Sequence, residues 1–134
     1  VAADEAATTS DAIDQIILRK AADVLIVKPG VIGGLRPSRN LIERAHAAGL
    51  GVVVTTALET GIGIAAALHL AATLPQPIPA CGLATGALLE SDLFADPLQI
   101  DAGHMRAPEK PGLGVGLDGE AATYYERERA DQGG

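Results

Sequence analysis

Residues 24–30 read Val24-Leu25-Ile26-Val27-Lys28-Pro29-Gly30: four aliphatic side chains in a row, a cation, then a proline and a glycine that end the run. A strand apolar at every position, rather than at every second one, is the kind that is covered on both faces, as in a parallel sheet wrapped by helices. The same pattern recurs on both sides of this run. Gly33 and Gly34 give a turn, Pro37 suits a first helical turn, and Leu41, Ile42, Ala45 and Ala48 form a stripe that Gly49 closes. Val52 to Val54 is a second aliphatic run, followed by a helix expected over about Ile62 to Leu74, which Pro75 and Pro77 terminate. Upstream, Val1 to Ala3 precedes a helix expected to start at Ser10 as N-cap and to bury Ile13, Ile16, Ile17 and Ala21. Downstream, Ile78 to Leu83 reads as a fourth strand, with a weaker helical stretch around Ala87 to Phe94.

The expected fold class is therefore α/β, with four strand-then-helix units over residues 1–95. Strand ends fall near Asp4, Lys28, Thr56 and Leu83, at near-equal intervals. Such spacing suits a (β/α)₈ barrel, where about 250 residues build eight units, so four units make half of one. A small open doubly wound sheet has similar periodicity. Residues 96–118, rich in Pro and Gly, read as an ordered extended segment, and residues 119–134 as a polar, frayed tail.

Composition narrows the function. The chain has 134 residues, enough for one domain, with 48% hydrophobic and 20% charged residues, so it should fold. It has no Trp, one Phe and two Tyr, which disfavours nucleic-acid readers that stack bases on aromatic rings. Seventeen acids against 10 bases give a net charge of −7, which repels phosphate backbones and anionic membranes. The lone Cys81 cannot close an internal disulfide, the apolar stretch from Gly61 to Leu74 is too short to span a bilayer, and a cytoplasmic location is expected. The chain opens on Val1 with an apolar run ending in acids, as though in mid-strand, which suggests a piece of a longer protein.

Polar residues gather where strands finish: Asp4 and Glu5, Lys28, Thr55, Thr56 and Glu59, then Thr85. In parallel α/β folds that edge binds ligands, because loops and helix N-termini converge on it. A carboxylate there can hold a hard cation by oxygen, and a neighbouring lysine can move a proton or stabilise an anion. Each residue also has an ordinary structural reading: solvated acids, a lysine extending from a strand tip, threonines as β-formers. Gly61, Gly63 and Ala66 approach the G-x-G-x-x-A turn of dinucleotide sites, although small residues that let a helix pack closely give the same pattern. His46, His69 and His104 have no partner at zinc-ligand spacing, and no G-x-S-x-G elbow or phosphate loop occurs.

The ordered set Ala2-Ala3-Asp4-Glu5, Val27-Lys28-Pro29 with Gly33-Gly34, Thr55-Thr56-Ala57-Leu58-Glu59-Thr60-Gly61-Ile62-Gly63, Ala80 to Gly86 and Pro111 to Val115 resembles the second half of the barrel in the enolase superfamily, nearest its o-succinylbenzoate synthase branch. The resemblance covers about residues 1–118. It implies strands five to eight of a (β/α)₈ barrel, with Asp4 as the third carboxylate ligand of Mg²⁺ (or Mn²⁺) and Lys28 as one of two active-site lysines. It further implies Thr55, Thr56 and Leu58 as substrate-pocket positions, with Thr85 and Gly86, near the end of the eighth strand, as substrate-binding residues beside them. The reaction implied is dehydration of a cyclohexadiene carboxylate to o-succinylbenzoate, in menaquinone biosynthesis. N-acylamino acid racemases, dipeptide epimerases and muconate cycloisomerases are the alternatives, and a non-catalytic phosphate- or nucleotide-binding α/β module is a further one. Where dipeptide epimerases carry Asp-x-Asp, this chain has Leu83-Ala84-Thr85, which points away from substrates with a free amine. The other metal carboxylates, the second lysine, strands one to four and the capping domain, toward which residues 96–118 would pack, would precede Val1. A polypeptide with Asp4 alone is expected to be inactive, because Mg²⁺ is held through several oxygens.

Overall fold

A computed structural model describes residues 1–132. Its centre is a parallel three-stranded sheet in the order β1 (Ala2–Ala3), β2 (Val24–Val27), β3 (Gly51–Val54). The register pairs Ala2 with Val24, and then Val24 to Val27 with Gly51 to Val54 residue for residue. Consecutive strands are adjacent and parallel because each is joined to the next by a helix.

Alternation along the sheet separates two faces. Leu25, Val27, Val52 and Val54 turn toward the helices and are buried, whereas Val24, Ile26 and Val53 on the other face are half-covered. Helix α1 (Ser10–Arg19) buries Ile13 and Ile16, leaves Ile17 at the core margin and exposes Ala21, which follows the left-handed Lys20 and so lies off the helix. Its N-cap is Thr9, one residue before the expected Ser10, with Thr9 Oγ1 accepting from Ala12 N at 3.2 Å.

A four-residue helix α2 (Pro29–Ile32) follows β2 directly, and α3 (Leu35–Ala47) buries Leu41, Ile42 and Ala45. Helix α3 starts at Leu35, which puts Pro37 in its first turn as expected, where a residue without an N–H donor forfeits no intrahelical bond. Gly33 and Gly34, with φ of 102° and 110°, make the turn between α2 and α3 in the left-handed region that glycine adopts without strain. Helix α4 (Gly61–Ala71) is apolar nearly all round, as a helix packed on several sides must be, and buries Ile64, Ala65, Ala67, Leu68, Leu70 and Ala71.

The expected fourth unit does not form as a strand and helix. Within Ile78 to Leu83 only Gly82 pairs, as a parallel bridge to Thr55, with Gly82 N donating to Val54 O at 3.1 Å and Thr56 N to Gly82 O at 3.0 Å. The run is interrupted by Pro79 and Gly82 and has one β-branched residue where β2 has three. In place of a helix around Ala87 to Phe94 there is a 3₁₀ turn over Ala84–Leu88.

Residues 96–118 include a short antiparallel pair, β4 (Ile100–Asp101) with β5 (His104–Met105), and Leu98, Met105 and Ala107 pack on the core. His69 of α4 is bonded through Nε2 to Leu113 O at 3.2 Å, which fixes this segment to the helix layer. Residues Gly119–Gln132 form helix α5, started by Asp118 Oδ1, which accepts from Glu120 N and Ala121 N at 3.0 Å each. Gly133 and Gly134 of the polar tail lie outside the described residues.

Candidate functional site

The register decides which strand-end side chains share a face. Ala2 lies opposite Val24, so Asp4, two residues on, is level with Ile26. Lys28 and Thr55 continue the same alternation on β2 and β3. Asp4, Lys28 and Thr55 thus belong to the sheet face that the helices leave half-covered, at the carboxyl ends of three neighbouring parallel strands.

Asp4 and Lys28 are brought into direct contact. Lys28 Nζ donates to Asp4 Oδ1 at 2.6 Å, with the two side chains 27% and 38% exposed. A charge-assisted bond of this length fixes the direction of a flexible lysine stem. With water still reaching both partners, its contribution to stability is about 1 kcal/mol, so its significance is geometric. Lys28 is also the N-cap residue of α2, and its carbonyl accepts from Val31 N at 3.0 Å and Ile32 N at 3.1 Å. The ammonium therefore stands on a strand tip that is also a helix start.

Thr55 Oγ1 is buried without a hydrogen-bond partner among the described residues. Leaving a buried hydroxyl unpaired costs about 1–3 kcal/mol, which makes this atom a natural contact for a polar group arriving at the edge. Thr56 has a different environment. It is 8% exposed, and its Oγ1 shares a 2.8 Å bond with Thr85 Oγ1 and donates to Gly82 O at 3.3 Å. Two of the threonines expected to line a pocket thus bond one another, and the pair ties β3 to the segment at residues 82–85. Gly86 packs against Ile64 and Asp92 within the 3₁₀ turn, and Leu58, 67% exposed, points into solvent.

The Gly61-to-Ala66 turn is not open to a phosphate. A Cβ on Gly61 would overlap the ring of Phe94, and one on Gly63 would overlap Glu59 Oε2. The protein's own phenyl ring and carboxylate fill this helix start, and a negative group there repels a second anion. The close-packing reading of these small residues is the one observed. Phe94 and the inward turn of Glu59 are features of this corner that no local motif marks, and the small residues at 61 and 63 are the signal that something large approaches.

The donor type at the edge suits a hard cation, since Asp4 offers carboxylate oxygen. The donor number does not make a complete cage: among the described residues no three His, Cys, Asp or Glu side chains group as metal ligands. The remaining oxygens would have to come from outside these residues. No described helix is long and apolar enough to cross a membrane.

The chain is similar in sequence and in fold to known proteins. The family described as enolase C-terminal domain-like matches residues 1–122. An o-succinylbenzoate synthase of Thermobifida fusca is 43% identical over 98 residues, covering 73% of this chain and 30% of that protein. Muconate cycloisomerase 1 of Rhodococcus opacus is 35% identical over 127 residues, covering 95% of this chain and 34% of that protein. Among solved structures, muconate lactonizing enzyme from Pseudomonas fluorescens, complexed with muconolactone, superposes with a TM-score of 0.86 at 32% identity, over 92% of this chain and 33% of that one. The chain spans about a third of the length of the curated relatives it matches.

Proposed function

Because the chain belongs to the enolase C-terminal domain-like family, we propose that it supplies the second half of the barrel in an o-succinylbenzoate synthase-like lyase, which removes water from 2-succinyl-6-hydroxy-2,4-cyclohexadiene-1-carboxylate. The supporting observation is the Lys28–Asp4 pair, an ammonium 2.6 Å from a carboxylate oxygen at the tips of neighbouring parallel strands.

On this reading Lys28 presents its ammonium charge to the enolate that forms when a proton leaves the carbon next to the substrate carboxylate. That proton and the departing hydroxide leave as water, and the ring becomes aromatic. The base that takes the proton belongs to a second lysine outside this chain. Asp4 is the residue that would hold Mg²⁺ or Mn²⁺, with further carboxylates from the preceding part of the protein. When bound, the metal supplies Lewis-acid stabilisation to the substrate carboxylate. Thr55, with its buried unpaired hydroxyl, is assigned to the substrate edge. Strands one to four and the capping domain, against which residues 96–118 would rest, complete the enzyme.

The second reading is a muconate-type cycloisomerase, favoured by the relative that covers 95% of this chain. It uses the same strand-end groups on a different carboxylate. The test is an assay of the full-length protein containing this chain, with Mg²⁺ and either the cyclohexadiene carboxylate or cis,cis-muconate. Dehydration should be seen, and Lys28→Ala should lower kcat by about 10²–10⁴-fold. Turnover of muconate alone would replace the lyase reading with the cycloisomerase, and full activity in Lys28→Ala would remove both.

A further inference from the structure

Glu59 has no part in the chemistry above, yet its side chain turns inward from the residue just before the N-cap of α4 and is half-buried. Its two carboxylate oxygens lie against two different glycines. A Cβ on Gly30, in the first turn of α2, would overlap Oε1, and a Cβ on Gly63, in the first turn of α4, would overlap Oε2. The carboxylate is thus wedged between two helix starts. Neither start has a side-chain cap, since the cap residues Lys28 and Thr60 make no capping bond. A negative group beside the amide-rich end of α4 is electrostatically favoured.

The wedge bears on Lys28 through the backbone. Lys28 O accepts from Val31 N and Ile32 N, so the first turn of α2 and the carbonyl of Lys28 move together. Glu59 stands four residues after Thr55 and sits against that turn. We infer that Glu59 is a positioning residue: it spaces the turn carrying Lys28 from the loop carrying Thr55, and so sets where the Lys28 ammonium stands relative to the bound carboxylate. The inference rests on the lyase reading for its activity readout.

The experiment uses the full-length protein with Mg²⁺ and the variants Glu59→Ala, Gly30→Ala and their combination, beside Leu41→Ala as a control in the core of α3. Glu59→Ala and Gly30→Ala should each lower kcat by about 10–100-fold with KM within about threefold, because misplacement of a catalytic group by an ångström has that effect. In the double variant the methyl group introduced at position 30 occupies space that the Glu59 carboxylate has left, so the two losses should not multiply. The ¹⁵N NMR signal of the Lys28 ammonium should shift in Glu59→Ala and stay in place in Leu41→Ala. A folded Glu59→Ala protein with wild-type kcat and an unmoved Lys28 signal overturns the inference, as does multiplication of the two losses. If Lys28→Ala retains full activity, the lyase reading falls instead, and the Lys28 signal alone decides the role of Glu59.

Discussion

The stretch from β1 to α4 and the stretch after it both carry many apolar residues, but they fold on different terms. In the first, Val24-Leu25-Ile26-Val27 and Val52-Val53-Val54 form ladders and bury Leu25, Val27 and Val54 completely. In the second, Ile78 to Leu83 makes one bridge, the ladder is the two-residue pair β4–β5, and individual contacts join the stretch to the rest: Phe94 on Gly61, Thr56 with Thr85, His69 with Leu113. Branched aliphatic runs thus pair as ladders that bury one face against helices, whereas the closing segment is joined by separate long-range contacts.

Substitutions can break that contrast, and their expected effects are graded. Val54→Asp places a charge in the covered face and should cost about 4 kcal/mol or more, abolishing the native urea transition of the protein. Phe94→Ala removes the one large ring from the corner over Gly61 and should cost about 3 kcal/mol in the same measurement. A Phe94→Ala loss equal to that of Val54→Asp would show that the second stretch is as integral as the first. Thr56→Val deletes one hydroxyl of the Thr56–Thr85 pair and should cost about 1 kcal/mol, with faster amide exchange confined to residues 82–88.

What the sequence discloses follows the same division. The three strand-and-helix units are legible because period and branching are local properties, and Asp4 and Lys28 are legible because each closes a strand. The Thr56–Thr85 bond joins residues far apart in the chain, and nothing local marks two hydroxyls as mutual partners. Thr56 alone therefore reads as a pocket position. Glu59 reads as one more acid at the strand ends, since its wedge depends on Gly30 lying across the turn from Gly63, a fact of tertiary packing. The helix at Gly119–Gln132 is hidden for another reason: its polar composition lacks the apolar stripe that announces a packed helix.

Lys28 combines two kinds of attachment. Its main chain belongs to the framework through the bonds to Val31 and Ile32, while its side chain reaches outward and bonds to Asp4. The headgroup at this position can consequently be exchanged while the scaffold beneath it is kept. If Lys28 acts as proposed, a barrel whose groups stand on such pedestals can acquire a new reaction through replacement of a few tips, which is how one architecture comes to serve many chemistries.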